Sequence, residues 1–159
     1  MPQNNEKDEI RIIPYTEKEI PDVVEFEKRL REEEDVWGWE IDESYVKSVS
    51  DSFRDARFDS AISYLAYRDG RVVGRIDASL IASRFDGRPR AYLDWICVLK
   101  SCRHRGVAQR LLAALRARLR EEGIDSLVAL TASNDEAQRF YRSVTDSEMR
   151  DVGIWIEIK

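Results

Sequence analysis

The residues with the clearest chemical potential lie between Val98 and Ala108, in the order Val-Leu-Lys-Ser-Cys-Arg-His-Arg-Gly-Val-Ala. A predicted strand ends there, a loop with Arg103 and Arg105 follows, and a strongly periodic helix begins near Gly106. Free backbone N–H groups at a helix N-terminus bind anions, and arginines add charge-assisted hydrogen bonds. A glycine there lets a bulky phosphate approach the backbone. The segment predicts a phosphate or pyrophosphate site, with an ordinary solvated turn as the alternative.

A second group of polar and aromatic residues lies further along the chain. Asn134, Ala137 and Tyr141 are related as i, i+3 and i+7, so a helix places them on one face. The small Ala137 leaves room for a ligand that Asn134 can hydrogen-bond and whose end Tyr141 can reach. Phe140 is expected to point toward the core. The alternative is that Tyr141 is only a packing residue on an amphipathic helix.

The surrounding elements predict how these residues are positioned. Turn signals at Asp69-Gly70 and Asp86-Gly87 indicate consecutive antiparallel strands. Strands are expected over 10–13, 61–67, 71–82, 90–99, 126–131 and 153–158. Helices are expected from Pro21, over 41–53, from Gly106 to Gly123, and from a capping box that begins at Ser133. The order predicts an α/β fold, a mixed and mostly antiparallel central sheet flanked by helices.

Composition limits the classes of protein that this chain can belong to. Its 159 residues predict a polar tail over 1–9 and a single domain over 10–159. Two cysteines and one histidine are too few for a disulfide scaffold or a multi-histidine metal centre, so no metal is expected. No apolar stretch approaches the roughly 20 residues that cross a bilayer, and the start of the chain is too polar for a signal peptide. A cytoplasmic protein without a membrane partner is expected.

The charges are unevenly distributed along the chain. Residues 16–59 hold 15 acidic and 7 basic side chains, whereas residues 103–120 hold six arginines and no acidic residue. The first segment favours a cationic ligand and the second an anionic one. A nucleic-acid partner is not expected, because the net charge is −5 and phosphate-backbone binding normally needs a basic domain.

Both motifs resemble those of the GNAT superfamily of N-acetyltransferases. The run Arg103-His-Arg-Gly-Val-Ala108 is similar to its acetyl-CoA loop, R/Q-x-x-G-x-G/A, and Asn134-Asp-Glu-Ala-Gln-Arg-Phe-Tyr141 to its second signature, N-x-x-A-x-x-F-Y. The resemblance is best over 92–141 and implies a GNAT-like acyl-CoA N-acyltransferase fold with acetyl-CoA as acyl donor. Where the superfamily usually continues into Gly-Phe, this chain has Thr145-Asp146, which alters one wall of the acceptor pocket.

The resemblance also implies roles for individual residues in a direct transfer within a ternary complex. The pantetheine arm would pair with the edge of the strand near Cys97 and Val98, and the N–H of Val98 or Leu99 would polarise the thioester carbonyl. Tyr141 would protonate the departing thiolate and Asp94 would accept the proton of the amine, unless Asp94 is only a structural carboxylate. The backbone amides expected to hold the pyrophosphate are those of Arg103, His104, Arg105, Gly106, Val107 and Ala108.

The acceptor is expected to bind near the aromatic loop after the first helix. Trp37, Trp39 and Glu40 would line its groove, and an aromatic wall beside acidic residues suits a cationic amine. The alternative for each tryptophan is a cover over the core. The implied acceptor is a small-molecule primary amine, such as an amino acid, a polyamine or an amino-bearing antibiotic. A non-catalytic acyl-CoA sensor, a protein N-terminal or lysine acetyltransferase, and a homodimer remain open.

Overall fold

The computed structural model describes residues 9–36, 38–151 and 153–158. The predicted tail, except Glu9, and Trp37 therefore lie outside the described residues. The strands are β1 (Arg11–Pro14), β2 (Ala61–Arg68), β3 (Arg71–Ala82), β4 (Pro89–Val98) and β5 (Leu127–Ala129). The helices are α1 (Ile20–Glu33), α2 (Glu43–Ser52), α3 (Val107–Glu121) and α4 (Asp135–Ser143), and a 3-10 turn at Lys100–Cys102 follows β4.

The strands form one sheet in the order β1-β2-β3-β4-β5. The first four strands are antiparallel, and β5 pairs parallel to β4. Asp69 and Gly70 have φ values of 51° and 73°, the two positive values that a tight hairpin turn requires. The prediction of a mixed, mostly antiparallel sheet flanked by helices is confirmed.

Strand β4 carries a bulge at the predicted base. Asp77 pairs with Trp95 but its neighbour Ala78 pairs with Leu93, so Asp94 is the extra residue. The pairing of β4 with β5 also ends at Leu93. The sheet therefore opens at the bulge, and the last part of β4 has no β5 residue beside it.

The two faces of the sheet are covered by different helices. A side chain at Gly74 of β3 would meet Val107 and Leu111 of α3, whereas the next residue, Arg75, contacts Glu27 of α1. Successive strand residues point to opposite faces, so α3 and α1 lie on opposite sides. The predicted leucine stripe of α3 is buried against the sheet.

Arg75 lies at the centre of a buried ionic network on the α1 face. Its Nη1 donates to Glu27 Oε1 at 3.0 Å, and its Nε and Nη2 donate to the two carboxylate oxygens of Asp77 at 2.7 and 2.9 Å. Arg31 donates to the other oxygen of Glu27 at 2.7 Å. The buried charges are therefore paired, which offsets their desolvation, and they fix α1 to β3 close to the bulge.

Several sequence-based predictions differ from the structure, most of them by one or two residues at the end of an element. Residues 153–158 form no strand, and a side chain at Gly153 would lie 2.5 Å from Leu130 Cδ2. The last helix begins one residue later than predicted, because Asn134 is the N-cap and its Oδ1 accepts the Ala137 N–H at 2.9 Å. Strand β5 is shorter than 126–131 because its pairing stops at the bulge. Within the described ranges, every helix is too short or too polar to cross a membrane.

Candidate active site

The N-terminus of α3 leaves its first backbone N–H groups without a side-chain cap. Gly106 is its N-cap with φ 76°, and no side chain caps the helix. The N–H groups of Val107 and Ala108 therefore point out of the helix end, where the helix dipole favours negative charge. Nothing lies within 4 Å of the position that a Cβ of Gly106 would take, so the left-handed backbone, rather than crowding, requires glycine.

The basic side chains of the preceding loop have different environments. Arg103 is turned inward: its Nε donates to the Val98 carbonyl at 3.1 Å. Arg105 is exposed to solvent. His104 is also exposed, with Nε2 4.0 Å from Glu136. The two arginines, which sequence reasoning treated alike as phosphate donors, are therefore placed differently by the structure.

The open edge of β4 presents a backbone N–H from Val98. The Leu99 N–H donates to the Val73 carbonyl at 2.9 Å, so Leu99 is engaged with β3. In an antiparallel ladder alternate residues point the same way, so the backbone of Cys97 also faces β3. The Val98 N–H consequently points away from β3, toward the side on which β5 has ended. Of the two predicted donors to the thioester carbonyl, Val98 has the required direction.

The free cysteines do not have the character of nucleophiles. Burial raises the pKa of the Cys97 thiol to about 12, with Arg103 opposing the shift. The thiol is therefore protonated at neutral pH, whereas the thiolate is the reactive form. Cys102 is buried. Across the described part of the chain, no group of three or more His, Cys, Asp or Glu side chains could hold a metal ion.

Asp94 and Tyr92 on β4 and Tyr141 on α4 influence one another's pKa in series. Burial raises the pKa of Asp94, and the Asp77 carboxylate raises it further while Arg75 opposes the shift. Burial and Asp94 raise the pKa of Tyr92, and burial and Tyr92 raise the pKa of Tyr141. The ionisation of Tyr92 is therefore coupled to that of the predicted base, and the ionisation of the predicted acid is coupled to that of Tyr92.

Tyr92 was missed by sequence reasoning, although a signal was present. It precedes Asp94 by two residues on the same strand, and residues at that spacing share a face of a sheet. Tyr141 itself is half-buried and packs edge-on to Phe140, with ring centroids 5.2 Å apart. The phenol of Tyr141 is protonated at neutral pH, as a proton donor requires, although its raised pKa makes it a weaker acid than a free phenol. Asp94 is exposed at its surface, and its raised pKa makes its carboxylate a stronger base than an aspartate of ordinary pKa.

A groove of about 480 Å³ lies beside α2. The exposed indole of Trp39 stacks on Tyr45, with centroids 6.4 Å apart and planes 30° apart. The lining includes Glu40 and Asp42, and among the described residues it has no basic side chain. The groove is lined by Trp39, Glu40, Asp42, Ser44, Tyr45, Ser48, Val49, Ser52 and Phe58. Two of the three residues predicted for the acceptor therefore share one acidic, aromatic surface.

The turn after α4 contains Thr145-Asp146, where the similar sequences usually have Gly-Phe. Asp146 has φ 61°, a left-handed value that aspartate tolerates better than most residues. Arg116 of α3 donates to the Thr145 carbonyl at 3.2 Å and lies 3.8 Å from the Asp146 carboxylate. The turn is thus held to α3 by polar contacts in place of the usual glycine and aromatic residue.

A comparison with protein families finds one match. The family described as acetyltransferase (GNAT) family matches residues 14–144. No curated protein matches the sequence.

Solved structures with the same fold include several aminoglycoside acetyltransferases. One from an uncultured soil metagenomic sample has a TM-score of 0.75 and 17% identity, over 94% of this chain and 97% of that one. AAC(6')-Iy, solved with CoA, has a TM-score of 0.76 and 22% identity, over 99% and 98%. AAC(6')-IG from Acinetobacter haemolyticus has a TM-score of 0.72 and 20% identity, over 94% and 99%. At these identities the likeness is one of fold.

Proposed function

This chain belongs to the GNAT family of acetyltransferases, and on that premise we propose that it transfers the acetyl group of acetyl-CoA to a primary amine of a small molecule. The family match confirms the predicted N-acetyltransferase class. The observation that carries the proposal is the placement of the uncapped α3 N-terminus beside the end of β4 that has no β5 neighbour, since Val107 and the Cys97 carbonyl both border the same point at Gly74.

Acetyl-CoA would lie along that edge. The amides at the start of α3 would receive the pyrophosphate, and the pantetheine arm would follow β4 to the Val98 N–H, which would donate to the thioester carbonyl. The Oδ1 of Asn134 caps α4, and its amide nitrogen could donate to the cofactor. Ala137, on the same face of α4, leaves space for the arm to pass. The CoA complex of AAC(6')-Iy supports this choice of donor.

The chemical step is an attack of the neutral amine on the thioester carbon. The N–C bond forms, the C–S bond breaks, Asp94 takes one proton from the amine nitrogen, and Tyr141 gives one proton to the sulfur. A thiol has a pKa of about 8.5, so a weak acid is sufficient. Bringing the amine and the thioester together supplies a further large part of the acceleration.

The acceptor groove favours a cationic small molecule. Glu40 and Asp42 would attract an ammonium group, and Trp39 would pack against it. A substrate with several amino groups would use more of these carboxylates than a simple amine. Several solved structures with this fold are aminoglycoside acetyltransferases, one of them in complex with sisomicin, which supports an amino-bearing antibiotic among the candidates.

The activity is tested by thiol release from acetyl-CoA with a panel of amino acids, polyamines and aminoglycosides. We expect release above the blank with at least one acceptor that carries more than one amino group. Binding of CoA without release for any acceptor, including peptides with a free N-terminus or lysine, would contradict the proposal and favour a sensor. Release with peptides alone would move the acceptor class to proteins.

Replacing Asp94 with asparagine tests the base. We expect kcat/KM at pH 7 to fall about 10²-fold, at the lower end for general-base catalysis. As pH falls, two protonation events lower the activity of the wild type. The amine substrate is protonated first, and the Asp94 carboxylate, whose pKa is raised, is protonated at lower pH. Below the Asp94 pKa its log kcat/KM should therefore rise with a slope of 2, and the variant should keep a slope of 1. The exposed Asp125→Asn serves as control, and an unchanged slope in Asp94→Asn would exclude the base role.

Two further predictions concern the state of the protein. The side chains of Ile154, Trp155, Ile156 and Ile158 are between 69% and 94% exposed, and an apolar surface of this kind suits burial against a second copy. A homodimer therefore remains a prediction, and light scattering would measure the oligomeric state.

A cytoplasmic location also remains a prediction, consistent with two free thiols.

A further inference from the structure

We propose that Arg103 is a positioning residue that holds the end of β4 at which the Val98 N–H projects, and that Arg105 supplies the loop's charge to the CoA phosphates. The inference rests on the proposed function. It separates two arginines that stand two positions apart and have the same chemistry in the sequence.

The guanidinium of Arg103 joins three elements around the open edge. Its Nε donates to the Val98 carbonyl at 3.1 Å, its Nη1 to Glu136 of α4 at 3.0 Å, and its Nη2 to Glu34 just after α1. Three of its five N–H donors point to these groups. A side chain held on three sides fixes the strand end from which the Val98 N–H projects.

The charge around Arg103 is already compensated. Burial alone would lower its pKa, but Glu34 and Glu136 raise it, so the guanidinium stays ionised between two carboxylates. One positive and two negative charges leave a local excess of negative charge. A pyrophosphate brought against this group would be repelled by both carboxylates.

Arg105 has the opposite environment. It is exposed, it directly precedes Gly106, and within the described ranges it has no ion pair. Its charge is therefore available at the helix end where the backbone amides favour an anion.

The loop between Val98 and Arg103 is also held by α1. The Glu33 carboxylate accepts the Ser101 N–H at 3.0 Å and the Ser101 hydroxyl at 2.7 Å. Glu33 and Glu34 at the end of α1 thus hold the loop at Ser101 and Arg103. The contacts of Arg103 therefore belong to a frame around the strand end.

The test compares two acyl donors. S-acetyl-pantetheine carries the same thioester as acetyl-CoA without the nucleotide phosphates. We expect Arg103→Gln to lower kcat/KM about 10-fold for both donors, a fraction of the 10²–10³-fold that losing an oxyanion donor costs. Arg105→Gln is the matched variant, and we expect it to lower kcat/KM about 5-fold for acetyl-CoA alone. The proposal would be overturned if Arg103→Gln lowered kcat/KM for acetyl-CoA alone and Arg105→Gln lowered it for both donors.

Two further measurements protect this result from folding defects and from loss of turnover. Glu136→Gln leaves the other two contacts of Arg103 in place. It should lower kcat/KM for both acyl donors, by less than Arg103→Gln does, with an unchanged Tm. Calorimetric titration with CoA needs no turnover, and should show weaker binding for Arg105→Gln and near wild-type binding for Arg103→Gln. Absence of turnover in the wild type would defeat the proposed function, and the titration would still decide between the arginines.

Discussion

Replacing Tyr141 with phenylalanine is expected to lower kcat about 10²-fold while leaving the affinity for CoA almost unchanged. The substitution removes the phenolic proton and keeps the ring that packs on Phe140. General-acid catalysis typically contributes 10²–10⁴-fold, and we expect the lower end because a thiolate is a good leaving group. The measurement is steady-state thiol release, with calorimetric titration of CoA on the same protein.

The control for this result is Tyr92→Phe. Tyr92 influences the pKa of Tyr141 but lies on β4, two residues before Asp94. We expect its replacement to change kcat by a few-fold at most. A larger loss in Tyr92→Phe than in Tyr141→Phe would transfer the acid role to Tyr92. Retention of most of the activity in Tyr141→Phe would mean that the thiolate leaves without a protein proton donor.

Replacing Gly106 with glutamate is expected to weaken CoA binding at least 100-fold. The backbone at Gly106 has φ 76°, and the space beyond it is open, so a side chain there would enter the region in front of the α3 amides. A carboxylate in that region would take the place of the phosphate and repel it. Binding is measured by calorimetric titration with CoA.

The chain provides a matched control at Gly87. It has φ 69°, also faces open space, and lies in the turn between β3 and β4. Gly87→Glu should therefore carry a similar backbone strain of about 1 kcal/mol and leave CoA binding intact. Equal loss of binding in both variants would indicate general destabilisation, and normal binding by Gly106→Glu would remove the phosphate site from α3.

Local patterns were sufficient to predict much of the fold. The hairpin at Asp69-Gly70 and the leucine stripe of α3 depend on residues within a few positions of one another, and both are present. The final strand over 153–158 is absent, although its residues alternate. Alternation shows which residues can share a face, but a strand also needs a neighbour with which to pair.

Parts of the site depend on contacts that no local pattern contains. Arg103 and Arg105 look equivalent in the sequence because Glu34, which pairs with Arg103, lies 69 positions earlier. The bulge at Asp94 changes the direction of the backbone groups after it, and it is visible only from the register between β3 and β4. The sequence therefore predicts Val98 or Leu99 as the donor to the thioester carbonyl without distinguishing them, and the register with β3 shows that the Val98 N–H faces the open edge.

The open edge of β4 also determines how its amide protons should exchange with deuterium. Those of Cys97 and Leu99 face β3, so their exchange needs the sheet to open. Those of Ile96 and Val98 face the side where β5 has ended and should exchange much faster, giving fast and slow positions in alternation along one strand. A pantetheine arm bound along this edge would slow exchange only at Ile96 and Val98. The exchange rates of these two amides would therefore report whether the cofactor is bound.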